Sequence, residues 1–466
     1  MVPESARRRP ATGACWLMAL VAAAFAASVF WPGMLSNDAA YMWWQARGGP
    51  LDTIHSPAFV YLWRVLAPLA DSPAPVFLLQ LGLFWAGLAM VCAELRGSAC
   101  WRLPCIVLVG VAPPVWIVMA QLGTDAAMLA ALTLATGMIL RFRRTRQRRW
   151  QYLALTTLLW AAAMRHNALP AVVPLVWLCW PVQAAAQPRQ LASRILATAM
   201  TMLVFAGALV LIGKSVPRQL AVWPATVMWD IAAISIAQHR VLLPKDTVGP
   251  GMTSEDLASA YVPWANTPLF TKTRAGVRPP FLGPQDGALK RELLAAWWHA
   301  VRRHPGAYLR HRWQLVKALF GRHPAQWPRE LVYFPVPAHL GDNPPVTRRT
   351  DPWHRFWLQR LAAWRDSLLL AAWPWLLAAV PALVLAAGQR RKPQARAAMA
   401  LLGSGALLAL PLVVIAPAAE LRYLAWPVAS SLLALVLATS AWIRQQGQDK
   451  LDPNCVEPPA ADDCYS

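Results

Sequence analysis

Charge is scarce in this chain. Only 14% of the 466 residues are Asp, Glu, Lys or Arg while 57% are hydrophobic, a balance too apolar for an ordinary water-soluble domain of this length. Acids are the scarcer sign, 22 against 44 Lys and Arg, so an acid beside an apolar run is a candidate for a role. Cysteine is sparse as well. Of the seven present, Cys15, Cys92, Cys105 and Cys179 lie in or beside apolar runs, and Cys100, Cys455 and Cys464 fall in stretches expected inside the cell. No C-x-x-C pair or zinc spacing occurs, so no disulfide framework is indicated. A Walker loop, G-x-G-x-x-G, G-x-S-x-G and a D-x-D pair are also missing, which leaves a cytosolic nucleotide-driven reaction without a home.

In their place stand long apolar runs of about 17 to 25 residues, suited to a hydrocarbon core roughly 30 Å thick and free of strand-like alternation. The expected fold is an all-α integral membrane protein with about ten spans, near 14 to 35, 74 to 94, 103 to 120, 125 to 141, 150 to 164, 168 to 183, 194 to 213, 367 to 388, 397 to 417 and 421 to 443. Many of the 26 Trp residues lie near the ends of these runs, where indole reaches both lipid and water. The net charge of +22 would suggest nucleic acid in a soluble protein. Here Arg143, Arg144, Arg146, Arg148 and Arg149 crowd one short link, the mark of a cytoplasmic loop, and nucleic acid is not an expected partner.

Arg7, Arg8 and Arg9 before the first run allow a cleaved signal peptide or an uncleaved first span; the length of the run favours the span. Residues 1–213 then form an N-terminal membrane module, 214–366 an external loop region, 367–444 the last spans and 445–466 a polar tail. Within the first external link, 51 to 69 reads as a helix lying on the membrane with Asp52 near its start. In the long loop, 223 to 237 is too short and too interrupted by Asp230 for a span. The stretch 289 to 320 reads as amphipathic helices broken at Pro305, whose Trp, His and Arg residues suit anionic headgroups.

Candidate chemistry gathers on the external face. Asp38, in Ser36-Asn37-Asp38, either caps a helix or acts as a base whose pKa rises by desolvation at the interface. Asp52 and His55, three apart, either share a helix face or mark a helix start before Pro57. Asp125 opens a span, where Thr124 or Asp125 is an ordinary N-cap. Arg165-His166-Asn167 interrupts an apolar run and sets a cation where phosphate can reach it, unless Arg165 only snorkels. Arg422, next to Tyr423 and Glu420, reads as a snorkelling cation or a ligand contact. Asp230 either orients a sugar or caps a short interfacial helix.

The order of first span, external acid, surface segment with His55-Ser56-Pro57, then Asp125 and the Arg165-His166-Asn167 turn resembles the C-type (GT-C) membrane glycosyltransferases, especially the protein mannosyltransferase and aminoarabinose transferase group, over roughly residues 15 to 185. The resemblance implies a bacterial inner-membrane enzyme with its active face in the periplasm. It would move a sugar from a polyprenyl-phosphate donor to a glycan, lipid or protein acceptor. Asp38 would be base or ligand of a divalent cation, Mg²⁺ or Mn²⁺, with Asp125 as a second catalytic acid and Arg165 facing the lipid phosphate. His55-Ser56-Pro57 replaces a more usual His-Pro-Pro, and Asp38 lacks an adjacent second acid. A glycan ligase relying on His304, Arg310 or His311, or a lipid or polysaccharide transporter, are the rival readings.

Overall fold

The computed structural model describes residues 4–95, 99–165, 167–180, 187–271, 276–322, 332–334, 336–347 and 349–449. His166, Cys455 and Cys464 lie outside the described residues. The described residues are 74% helix, and among them pairing of extended backbone is confined to isolated bridges.

The N-terminal half comprises α1 (Glu4–Phe30), α2 (Asn37–Ala46), α3 (Pro57–Leu66), α4 (Ala74–Glu94), α5 (Ala99–Val111), α6 (Pro113–Ala120), α7 (Thr124–Thr145), α8 (Arg148–Met164), α9 (Ala168–Cys179) and α10 (Pro188–Lys214). The loop region holds α11 (Trp223–Ala237), α12 (Ser254–Ala260), α13 (Thr267–Thr271), α14 (Gly287–Arg303), α15 (Pro305–Leu319) and α16 (Pro352–Trp364). The chain then continues with α17 (Ala372–Leu376), α18 (Ala379–Gly388), α19 (Pro393–Ile415) and α20 (Ala425–Asp449). Many of these helices start on proline, which loses nothing at a first turn whose N–H groups have no partner, and Ser56 and Asp351 cap α3 and α16 with their side chains.

Among the described residues six helical stretches are long and apolar enough to cross a membrane: Thr12–Phe30, Ala74–Glu94, Thr124–Thr145, Pro188–Lys214, Pro393–Ile415 and Leu421–Ile443. A seventh follows if α5 and α6, bent by 59°, count as one span. The expected ten are not all met at full length. Segment 150 to 164 is the 17-residue α8, and the described part of 168 to 183 holds the 12 residues of α9. The run 367 to 388 breaks into α17 and α18, where Pro374 and Pro381 each lack a donor.

Helix α7 packs between α4 and α8, α9 bridges α8 to α19, and α20 lies on α18 and α19. Close approach of α4 and α7 depends on Gly87, because a Cβ there would come within 2.5 Å of the Leu134 backbone nitrogen; small residues play this part wherever packing rather than water drives helices together. At the edge of the bundle α10 leaves Leu196, Leu203, Val204 and Leu211 exposed. Such a continuous apolar face fits contact with lipid tails.

The loop region is built around α11, whose residues from Met228 to Ser235 are buried and which packs on α14 and α15. The proline break falls between α14 and α15 at Pro305. Residues 332–334 and 336–347 return to the N-terminal module: Ala338 donates to the Leu35 carbonyl at 2.9 Å, the Asn343 amide to that of Ala40 at 2.8 Å, and the Gln121 amide to that of Val332 at 2.8 Å. One expectation fails here. The surface helix begins at Pro57 rather than near 51, so Asp52 and His55 sit in the preceding loop and share no helix face. Asp52 instead accepts from the Ile54 N–H two residues on, at 3.0 Å, the Asx turn that competes with helix.

Candidate functional site

Two helix starts are laid side by side by backbone pairing. Met34 donates to the Ala120 carbonyl at 2.8 Å and accepts from Leu122 at 3.0 Å, so the chain leaving α1 runs beside the chain entering α7. Gly33 permits this with φ of +105° and with the Leu122 side chain 3.0 Å from where a Cβ would stand. Ser36 caps α2 by accepting from Ala39 at 3.1 Å, which leaves Asp38 free in the first turn. Gly123, not Thr124 or Asp125, holds the N-cap position of α7, so Asp125 is likewise free. Both acids stand at positive helix ends.

Two further segments complete the group. Ser56 donates to the Ala163 carbonyl at 2.7 Å, pinning the start of α3, with His55, against the end of α8, which carries Arg165. The turn before α20 is braced by the loop region, with Ala419 donating to Trp264 at 2.7 Å and Asn266 to Pro417 at 3.1 Å. That turn presents Glu420, Arg422 and Tyr423.

Arg422 is the centre. Its guanidinium lies 2.7 Å from Asp38 Oδ2 and 3.5 Å from Asp125 Oδ2, and it pairs closely with Glu420. Arg165 pairs with Asp125 Oδ1. Both guanidinium groups lie against the ring of Tyr423, with centroid distances of 4.5 Å for Arg165 and 5.6 Å for Arg422, and the Tyr423 hydroxyl donates to Glu420 at 3.3 Å. Asp125 is almost fully enclosed, whereas 41% of the Asp38 side chain remains exposed. Asp38 is thus the open face of the cluster. Beside it Tyr41, 5.8 Å from the His55 ring, donates to Asp52 Oδ2 at 2.5 Å.

The titration pattern reverses one expectation. Burial would raise the Asp38 carboxyl, but Arg422, His55 and Arg165 outweigh it and hold the group at about 2. Glu420 moves the other way: burial, with Asp38 and Asp125 nearby, pushes it up against the pull of Arg422. His55 is pushed down by burial more than the Asp38 charge can restore. Of these carboxylates Glu420 is the one shifted upward.

The donor set does not fit a resident Mg²⁺ or Mn²⁺. The three carboxylates of Asp38, Asp125 and Glu420 converge on a guanidinium, which takes the central place a divalent ion would need. Among the described residues no group of three or more His, Cys, Asp or Glu is arranged to hold a metal ion.

Of the residues singled out from sequence, Asp38, Asp125, Arg165, Arg422 and Tyr423 come together, with His55 alongside. Asp52 is 2% exposed and held by Tyr41 and Ile54, a support rather than a contact surface. Asn167 occupies the N-cap position of α9 without a side-chain capping bond. Asp230 belongs to a different group. Its carboxylate oxygens lie 2.7 Å from Arg312 Nη2 and 3.1 Å from His311 Nε2, and accept from Trp297 at 2.9 Å. His311 in turn meets the Tyr261 hydroxyl at 2.8 Å, and Arg312 donates to the Ala416 carbonyl at 2.9 Å. Tyr41 was not singled out; its place one helical turn after Asp38 was the available signal. No protein-family model, no curated protein sequence and no solved structure matches this chain.

Proposed function

We propose that the chain is a membrane-embedded glycosyltransferase of the C-type kind, moving a sugar from a polyprenyl-phosphate donor to an acceptor hydroxyl on the periplasmic face of a bacterial inner membrane. The observation that carries this reading is the pair of guanidinium groups, Arg165 and Arg422, laid against one tyrosine ring beside a partly open carboxylate. Two fixed guanidinium groups match the oxygens of a phosphate. Their place between the ends of apolar helices suits a phosphate whose tail is lipid.

In the reaction the acceptor oxygen bonds to the anomeric carbon while the bond from that carbon to the phosphate oxygen breaks. The acceptor proton passes to Asp38, and polyprenyl phosphate leaves with the electron pair. A phosphodiester donor carries one negative charge and the departing monoester gains a second, so two arginines favour the transition state over the donor. Asp38 is a weak base while Arg422 and Arg165 face only the carboxylates of the cluster. A phosphate that neutralises these arginines releases the hold on its carboxylate and raises its basicity when a base is needed.

Of the residues on which the rival ligase reading leans, His304, Arg310 and His311, the last is buried with Asp230 and Tyr261, while Arg310 is exposed. The test is donor cleavage by the full chain in lipid nanodiscs, using polyprenyl-phosphate hexose and pentose donors and reading released polyprenyl phosphate. Asp38→Asn is expected to slow release by about 100-fold or more, and Arg165→Gln to weaken binding of polyprenyl phosphate. A normally inserted Asp38→Asn protein with full activity would remove Asp38 from this role. A native chain that neither binds polyprenyl phosphate nor cleaves any donor would remove the reading.

A further inference from the structure

At the opposite end of α7 and α8 lies a cavity of about 370 Å³, lined by Arg146, Arg148, Gln151, Trp180, Ser193 and Arg194 among others. We propose that this cavity binds the phosphate headgroup of an anionic phospholipid from the leaflet on the basic side of the membrane. It is separate from the Asp38 cluster and independent of the reading given above.

Three observations carry it. The first is unbalanced charge: no acid is among the lining residues, and Arg143 and Arg396 add to the field around Arg146 and Arg194. Glu94 offers no relief, being paired with Arg141 and Arg144. Arginines crowded in this way repel one another unless an anion joins them. The second is that the site is built. Gln151 is fully buried, donates to the Cys179 carbonyl at 2.8 Å and accepts from Arg148 at 3.0 Å. Arg194 is fixed by two bonds to the Trp177 carbonyl, at 3.0 and 2.6 Å, and by the Trp177 ring 3.9 Å away. Arg143 Nε is buried with no hydrogen-bond partner.

The third separates a lipid from a free phosphate. Ser193, Arg194 and Ala197 reach the cavity from α10, the same helix that exposes Leu191, Ile195 and Leu196. A headgroup in the cavity can therefore lay its acyl chains along these side chains. Trp177 and Trp180 also place the mouth at interfacial depth.

The experiment is native mass spectrometry of the full detergent-purified chain titrated with phosphatidylglycerol, phosphatidylcholine, glycerol phosphate or inorganic phosphate. Phosphatidylglycerol is expected to be retained well above phosphatidylcholine, and the two soluble phosphates to bind weakly. Arg146→Gln and Arg194→Gln are each expected to weaken retention about fivefold, the effect of one arginine at a charged interface. Arg146 is exposed, so its variant keeps the test alive if Arg194→Gln does not fold. Equal retention of both lipids, or unchanged retention in the variants, would overturn the proposal. Soluble phosphates binding as tightly as phosphatidylglycerol would overturn the assignment to a lipid.

Discussion

Arg422 meets Asp38, Asp125 and Glu420 at once, so its removal leaves three acids facing one another with only Arg165 to balance them. Breaking a buried ion pair on one side costs about 3 to 5 kcal/mol. Arg422→Gln is therefore expected to melt well below the native protein in detergent, and to regain stability as pH falls and the stranded acids take up protons. Adding Glu420→Gln should restore part of the loss; a double variant no more stable than Arg422→Gln would deny that the two side chains act as a unit. In the native protein the sign is opposite. The Asp38 contribution is complete above its ordinary value of 3.8 and disappears only as pH falls through about 2. Sequence displayed each of these residues but not their meeting. Arg422 lies 384 positions from Asp38, and a lone Arg at the start of an apolar run is what snorkelling also produces. The direction of the Asp38 shift was equally hidden, since desolvation is local while the cations opposing it arrive from other segments.

At the scale of helices, the break at Pro305 was legible because its signal is local, and Pro57 marked one of two readings of the segment that carries Asp52 and His55. Asp351 before Pro352 carries a local start signal of this kind for α16, a helix not expected from the sequence. What could not be read was how α11 is held. Asp230 looked like a sugar contact or an interfacial cap, yet it ties α11 to Trp297 of α14 and to His311 and Arg312 of α15, and through Arg312 to the end of α19. One acid thus joins three helices to the segment that carries Glu420 and Arg422. Asp230→Ala strands the buried guanidinium of Arg312, a loss of about 3 to 5 kcal/mol. The expected outcome is faster amide exchange and easier proteolysis across α14 and α15, with the transmembrane helices protected as before. Native exchange in that variant would mean Asp230 is not the tie.

For the molecule as a whole, the sequence marked where charge interrupts apolar runs better than it counted crossings. Among the described residues six or seven helical stretches pass by length and composition, yet α8 and α9 lie in register with α7. Asp125 at the start of α7 meets Arg165 at the end of α8, and Arg143 near the end of α7 donates to Leu178 near the end of α9. Gln151 near the start of α8 donates to Cys179 at the end of α9. Short helices can link the same two levels where neighbouring protein, rather than lipid, surrounds much of their surface, as burial of Leu158, Val172 and Leu175 indicates here. The 22 residues of α7 reach about 33 Å at 1.5 Å per residue, against a hydrocarbon core of about 30 Å. On the reading proposed above, the Asp38 cluster and the arginine cavity face opposite compartments, with the arginines inside. In a cysteine-free background, Asn37→Cys should react with a membrane-impermeant maleimide from outside intact cells, and Arg149→Cys only after permeabilisation. Both native side chains are exposed, so accessibility is governed by the side of the membrane rather than by packing. Labelling of both from the same side would place the two sites in one compartment, and a lipid-borne donor would then have no reason to cross before it reacts.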